Sequence, residues 1–254
     1  MQELQNYCGE FKSEIKPQDF SKDFLIKLMH EWVIVLNGVH ELFHQTLKRD
    51  LGEQKAFDCR MAVWAKADEL MTPKVSGAVR TYLKDTSKEA LIKLMQTWGA
   101  GYARAAEDWY NTMKELVGDE QAHRYEMEVW CKTAETLNPA LVKALGIEIN
   151  NMVDFLKATQ VIPDGALGGV YNPRYEILSK NHVIITFYHC RCLEWLEKNA
   201  SPQRLVAVCH DTEVQAFRSY LKFFIPKATV TPLKLPPRKS KDEIPCQWEL
   251  KLEG

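Results

Sequence analysis

Residues 21–29 read SKDFLIKLM, and this stretch decides the fold of the first half because residues 87–95 read SKEALIKLM. The offset of 66 residues holds without a gap over 58 positions, of which 20 are identical. Average residue usage gives roughly three or four identities over that length by chance. The first half is therefore predicted to be a tandem 66-residue repeat, with copies at about 21–84 and 87–150.

Each copy is predicted to contain three helices. Ser21 and Ser87 are residues that cap a helix N-terminus, and the apolar residues after them recur at the spacing of one helical face. Gly52 and Gly118 are placed to end this long first helix in each copy. A medium helix and a short helix that starts at a proline follow. Two such units predict an antiparallel bundle of about six helices.

The second half of the chain has a different pattern. Runs rich in β-branched and aromatic residues predict strands of one antiparallel sheet, with helices between them. These strands are 175–178, 182–190, 228–235 and 246–252. The glycine-rich stretch 163–169 indicates a linker, with close approach of its glycines to a ligand as the alternative.

The predicted fold class is α+β in three parts. An all-α bundle built from the tandem repeat occupies 1–157, a linker occupies 158–174, and a small antiparallel-sheet α+β domain with several cysteines occupies 175–254.

The composition excludes several classes of protein. With 33 basic and 34 acidic residues the net charge is -1, which argues against a nucleic-acid partner because phosphates select a basic surface. The sequence has no apolar run long enough to span a bilayer, so no membrane partner is expected. The N-terminal residues do not form a signal-peptide pattern. Seven cysteines, an odd number, then indicate reduced thiols and a cytoplasmic location.

The strongest cluster of reactive side chains lies in three short pieces of the tail. These are His189-Cys190-Arg191-Cys192, Cys209-His210-Asp211 and Cys246. Their place at predicted strand ends and helix starts suits a site in which Cys190, Cys209 and Cys246 hold zinc or iron. The alternative is that these cysteines are small buried apolar residues.

The same pieces also suit nucleophilic catalysis. Cys209 is predicted to precede a helix, where the helix dipole lowers the pKa of a thiol. His210 or His189 would then move the proton. Asp211 and Glu213 would orient a histidine, or would only favour the start of the helix.

Three motifs of the tail also carry a resemblance to a known family. They are Phe187-Tyr188-His189-Cys190, Val208-Cys209-His210-Asp211 and Pro245-Cys246-Gln247-Trp248-Glu249-Leu250. The tail resembles the C-terminal half of the L-2-amino-thiazoline-4-carboxylic acid hydrolase family, and it is distantly similar to 4-vinyl-reductase-like domains. The first resemblance implies an enzyme that opens a small ring containing sulfur and nitrogen. The second implies a small hydrophobic ligand and, in some sensors, a structural zinc. Both carry over to Cys190, Cys209 and Cys246.

A rival metal site lies in the helical half. It consists of two Glu-x-x-His pairs, Glu41 with His44 and Glu120 with His123. Bundles that hold two metal ions use such pairs together with further carboxylates. The alternative is a solvated helix face for the first pair and a favourable first-turn carboxylate for Glu120.

The second long helix carries a stripe of small residues from Gly99 to Ala106, where the first copy has larger ones. Tight packing of a neighbouring element is one interpretation. A ligand pocket lined by Tyr102, Trp109 and Tyr110 is another, and a homodimer contact is a third.

Together these features favour a small-molecule enzyme. The predicted reaction is that of a hydrolase or lyase acting on a C–N or C–S bond, at a metal or reactive-thiol site in the tail with the bundle as its wall. The alternatives are a ligand-binding or sensory module with a structural metal, and a di-metal helical-bundle protein.

Overall fold

The structure, a computed structural model, describes residues 11–68, 83 and 85–252. The helices of its first half are α1 (Lys22–Leu51), α2 (Glu53–Asp68), α3 (Lys88–Val117), α4 (Asp119–Lys132), α5 (Asn138–Ala144) and α6 (Met152–Val161). The elements of its second half are β1 (Tyr171–Ser179), β2 (His182–Cys190), α7 (Arg191–Asn199), α8 (Pro202–Val206), α9 (Glu213–Phe224), β3 (Ala228–Lys234) and β4 (Cys246–Leu252). Two π-helical segments connect helices: Thr133–Leu137 joins α4 to α5, and Ala207–Thr212 joins α8 to α9.

The two long helices begin and end as their capping residues predict. The hydroxyls of Ser21 and Ser87 each accept a hydrogen bond of 3.2 Å from the backbone N–H three residues later. Gly52 and Gly118 end the helices with φ of 87° and 81°, values that residues with a Cβ atom disfavour. The third helix of the first copy falls on residues outside the described part, so the duplication itself stays a prediction.

The tail forms one four-stranded sheet in the order β1-β2-β4-β3, with every neighbouring pair antiparallel. This confirms the α+β class and the antiparallel sheet. The boundaries differ near the predicted linker, because α6 continues to Val161 and β1 already begins at Tyr171. What lies between them is a compact loop with a short 3-10 turn at Ala166–Gly168.

One hydrophobic core runs through both halves. The indole N–H of Trp32 on α1 donates to the carbonyl of Val161 at the end of α6, at 2.7 Å. The ring of Phe155 on α6 lies 5.1 Å from that of Tyr220 on α9. Burial of this shared apolar surface therefore holds the bundle and the sheet together.

A buried ion cluster also joins the halves. Arg204 on α8 reaches the carboxylate of Glu126 on α4 with hydrogen bonds of 2.6 and 2.7 Å, and that of Glu107 on α3 at 2.5 Å. Its guanidinium carbon lies 3.4 Å from the ring centroid of Tyr110. The side chains of Arg204 and Glu126 are only 6% and 2% exposed. The planar guanidinium presents two N–H groups side by side, which suits a bidentate contact with a carboxylate. Because both side chains are buried, bulk water cannot replace either partner.

No helix in the described part of the chain combines the length and the apolar character that crossing a lipid bilayer requires.

We expect Arg204→Met to lower the free energy of unfolding by about 3–5 kcal/mol, because buried Glu126 loses its counter-charge. Arg49→Met is the matched control, since the Arg49 side chain pairs with Asp50 and Glu128 but is 51% exposed. There the expected loss is below about 1 kcal/mol. Urea unfolding monitored by circular dichroism measures both, and equal losses would contradict the role given to the buried cluster.

Candidate functional site

A cavity of about 160 Å³ lies where the bundle meets the tail. Elements from both halves supply its wall, including Tyr102 of α3, Thr133 after α4, Asp164 of the 163–169 loop, Glu213 of α9 and Cys246 of β4. A cavity of about 150 Å³ in another protein binds benzene, so this one admits a molecule of similar or slightly larger size. Its position at the junction of two layers is typical of ligand sites.

Both π-helical segments of the described residues contribute to this wall. Thr133 and Ala134 come from the first segment, and Val208, Cys209 and Thr212 come from the second. A π-helical turn contains an extra residue, which shifts the faces of the helix on either side of it, and such turns are frequent at functional sites. The second segment leads directly into Glu213 at the start of α9.

A close backbone contact positions the loop that carries Asp164. A Cβ atom on Gly99 of α3 would lie 2.5 Å from the carbonyl oxygen of Gly168, so the loop approaches α3 more closely than any side chain permits. Gly165 is similarly confined, since its Cβ would meet the carbonyl of Thr159 at 2.4 Å. The tight-packing interpretation of the small-residue stripe is thus confirmed at Gly99. Three residues of the stretch predicted as a linker, Asp164, Gly165 and Ala166, line the cavity.

Two carboxyl groups on the cavity wall have raised pKa values. Burial raises the pKa of Glu213 to about 8, and the charges of Asp164 and Glu126 add to the shift. Burial likewise raises the pKa of Asp164 to about 6, opposed by hydrogen bonds from its own backbone and from Tyr171. By surface area Asp164 is half-buried and Glu213 is exposed on the cavity wall. Near neutral pH the pair therefore holds one acid and one base.

Four polar atoms on residues that line the cavity have no hydrogen-bond partner in the described structure. They are Tyr220 Oη, Thr212 Oγ1, Thr133 Oγ1 and Asn138 Oδ1. Their residues are 3%, 3%, 1% and 8% exposed. Leaving a buried polar atom unpaired costs about 1–3 kcal/mol, and groups in this state call for water or a ligand as a partner.

The tail thiols come together in the same cavity. Cys190, Cys192, Cys209 and Cys246 all line it. The sulfur of Cys190 caps α7 by accepting a hydrogen bond from the backbone N–H of Leu193 at 3.3 Å. The four cysteines thus share one cavity, and their convergence on a common reactive centre stays a prediction.

The predicted activation of Cys209 by a helix start is wrong. Cys209 lies inside the π-helical segment of a helix that continues from Pro202 to Phe224, so no free N–H groups face its sulfur. Burial, followed by the charge of Glu213, raises the pKa of this thiol well above its ordinary range. Burial also raises the pKa of the Cys246 thiol to about 12. Protonated thiols are poor nucleophiles.

The thiol cluster does not fit a metal ion. In residues 11–68, 83 and 85–252, no three His, Cys, Asp or Glu side chains are arranged to hold one. The sulfur of Cys190 already caps a helix, and that of Cys246 accepts a 3.2 Å hydrogen bond from the indole of Trp248. The predicted zinc or iron set of Cys190, Cys209 and Cys246 thus shares a cavity without forming a coordination site.

The other predicted catalytic residues lie away from the cavity wall. His189 pairs with Glu194 at 3.1 Å. The Nε2–H of His210 donates to the carbonyl of Pro236 at 2.5 Å. Asp211 is 58% exposed and lies 3.6 Å from Nε2 of His123. Their adjacency to Cys190 and Cys209 in sequence is misleading, because neighbours along a strand or helix point to different faces.

Of the three predicted ligand-binding aromatic residues, only Tyr102 lines the cavity. Trp109 is fully buried in the bundle, where its indole N–H donates to Nδ1 of His40 at 2.8 Å. Tyr110 packs under Arg204, and its hydroxyl is bound to Asp119. The prediction is therefore wrong for Trp109 and Tyr110, whose side chains serve core packing.

The two Glu-x-x-His pairs do not converge. Glu41 forms an ion pair with Arg60 at 2.8 Å, and His44 lies 3.3 Å from Glu53. Glu120 is exposed in the first turn of α4, and His123 lies against Glu126, which Arg204 already neutralises. The solvated-face alternative holds for Glu41 but not for His44, which is buried, and the first-turn alternative holds for Glu120.

We expect Cys209 and Cys246 to react with iodoacetamide at pH 7 roughly a hundredfold more slowly than free cysteine, because a raised pKa reduces the thiolate fraction more than it increases nucleophilicity. Peptide mass spectrometry after timed labelling measures this, and urea-unfolded protein is the control in which all thiols react alike. Labelling of Cys209 as fast as free cysteine would restore it as a nucleophile.

Comparison of the chain with protein-family models, with curated proteins and with solved structures finds no match.

Proposed function

We propose that this protein is an enzyme that breaks a C–N or C–S bond of a small molecule by general acid–base catalysis in the cavity between the bundle and the tail. The observation that carries the proposal is the pair of carboxyl groups, Asp164 and Glu213, on the wall of a cavity of ligand size. Pairs of titratable groups with separated pKa values identify acid and base roles in an active site.

The proton transfers follow from the two ionisation states. With a pKa of about 6, the Asp164 carboxylate is mostly ionised at pH 7 and takes a proton from an attacking water, or from carbon in an elimination. With a pKa of about 8, the Glu213 carboxyl is mostly protonated and gives its proton to the departing nitrogen or sulfur. Exchange of one proton with water then restores both groups.

The aromatic and apolar lining supports this chemistry. Trp130, Phe217 and Trp248 contribute to the cavity wall. They lower the polarity around the carboxyl groups, which keeps the pKa values raised and strengthens electrostatic interactions with the reacting atoms. The protonated thiols of Cys209 and Cys246 add a polarisable surface to the wall and take no part in the proposed step.

A ligand-binding module without turnover is the second candidate. The observation that favours it is the set of unpartnered polar atoms on Tyr220, Thr212, Thr133 and Asn138, which a bound molecule would satisfy without any reaction. A thermal-shift screen of small amines, thioethers and sulfur–nitrogen heterocycles identifies ligands. Mass spectrometry of the incubated ligands then separates the two candidates, since only an enzyme forms products.

For a converted compound we expect a bell-shaped pH profile of kcat/KM. Activity rises as Asp164 ionises through pH about 6 and falls as Glu213 loses its proton through pH about 8. Asp164→Asn and Glu213→Gln should each reduce kcat by about 10²–10⁴-fold and remove the low-pH or the high-pH limb, respectively.

Glu115→Gln is the matched control, since this glutamate is exposed on α3 and should keep full activity. A flat profile between pH 5 and 9, or full activity of Glu213→Gln, would contradict the proposed mechanism.

A further inference from the structure

The charges on the cavity wall are of one sign. Two carboxyl groups, those of Asp164 and Glu213, line the cavity, and the described residues that line it include no lysine, arginine or histidine. The substrate in the name of the hydrolase family that the tail resembles carries a carboxylate. On this wall it would meet charge of the same sign and no cation. Near pH 7 Glu213 is mostly neutral, so Asp164 is the charged carboxylate of the wall, and burying its charge is unfavourable unless a group of opposite charge joins it.

The rest of the wall suits the same partner. Aromatic rings line the cavity from both halves of the chain, and those with the largest faces are Tyr102, Trp130, Tyr171, Phe217, Tyr220 and Trp248. The faces of such rings attract organic cations, an attraction that grows when water is excluded. A cavity wall of aromatic rings and carboxyl groups, without basic groups, is therefore complementary to a small molecule that combines an ammonium group with an apolar part.

Two polar atoms on residues of the wall have no hydrogen-bond partner among the described residues. They are the Tyr220 hydroxyl, on a residue 3% exposed and close enough to Asp164 to interact with its charge, and the carbonyl oxygen of the Asn138 side chain. Both atoms are covered by protein, so a ligand reaches them only where the wall moves. Their capacity to accept suits an ammonium group, which donates up to three hydrogen bonds and accepts none.

We infer that the cavity binds a small organic cation, a protonated amine that pairs with the Asp164 carboxylate and whose apolar body packs on the aromatic wall. As the identity of a substrate, this inference rests on the proposed function, but binding is measurable without turnover. The cavity volume of about 160 Å³ limits the amine to about the size of one aromatic ring with a short arm.

Three probes of one shape and different charge test the inference by isothermal titration calorimetry at pH 7.5. We expect benzylamine, the cation, to bind at least about tenfold more tightly than benzyl alcohol, its uncharged counterpart. Benzoate, the anion, should not bind. Asp164→Asn, which keeps the side-chain shape, should weaken benzylamine about tenfold or more while changing benzyl alcohol less than twofold. Glu213→Gln replaces a mostly neutral carboxyl and should weaken benzylamine less than Asp164→Asn does. Glu115→Gln should change neither.

Equal affinity for benzylamine and benzyl alcohol in the wild type would overturn the inference, and so would binding of benzoate. Because these comparisons use the unaltered protein, they remain decisive even where a variant fails to fold. Turnover of an uncharged compound with the bell-shaped profile would overturn the inference and leave the proposed function standing. Selective binding of benzylamine without products from any tested amine would support the inference and contradict the proposed function.

Discussion

The structure depends on one buried charge contact, the guanidinium of Arg204 between the carboxylates of Glu107 and Glu126. It fixes the helix that runs from Pro202 to Phe224 against the bundle, and this helix carries Cys209 and Glu213 to the cavity. A buried ion cluster adds little net stability compared with apolar packing, but it penalises every arrangement in which a charge lacks its partner. We therefore regard it as the contact that sets the register between the halves.

Around that contact the wall of the cavity is held by close backbone packing. Gly99 admits the loop that carries Asp164, and π-helical turns present Thr133 and Cys209 on the wall. These packed elements thus place two acids on the wall of one cavity. Their environment favours the neutral form of Glu213 more strongly than that of Asp164, and this difference creates the separate acid and base roles on which the proposed chemistry rests.

Much of the fold follows from local sequence signals. Ser21, Ser87, Gly52 and Gly118 predict the ends of both long helices because capping is a property of a few neighbouring residues. The β-branched and aromatic runs likewise predict the antiparallel sheet, and the cysteines of the tail do meet at one cavity. The site itself is less predictable. Asp164 stands between proline and glycine and has the pattern of a turn, and its position depends on the packing of its loop, through Gly168 and Pro163, against the distant Gly99. No sequence signal marks a π-helical turn, and for this reason the sequence predicts a helix start after Cys209 where the helix in fact continues.

The separate acid and base roles of Glu213 and Asp164 are measured by a carboxyl-carbon NMR titration of protein labelled at aspartate and glutamate side chains. The Glu213→Gln and Asp164→Asn variants assign the two signals. We predict that the Glu213 carboxyl titrates near pH 8 and the Asp164 carboxyl near pH 6. Titration of both groups near pH 4, as in free side chains, would show that the cavity does not raise their pKa values. That result would contradict the acid and base roles assigned to them.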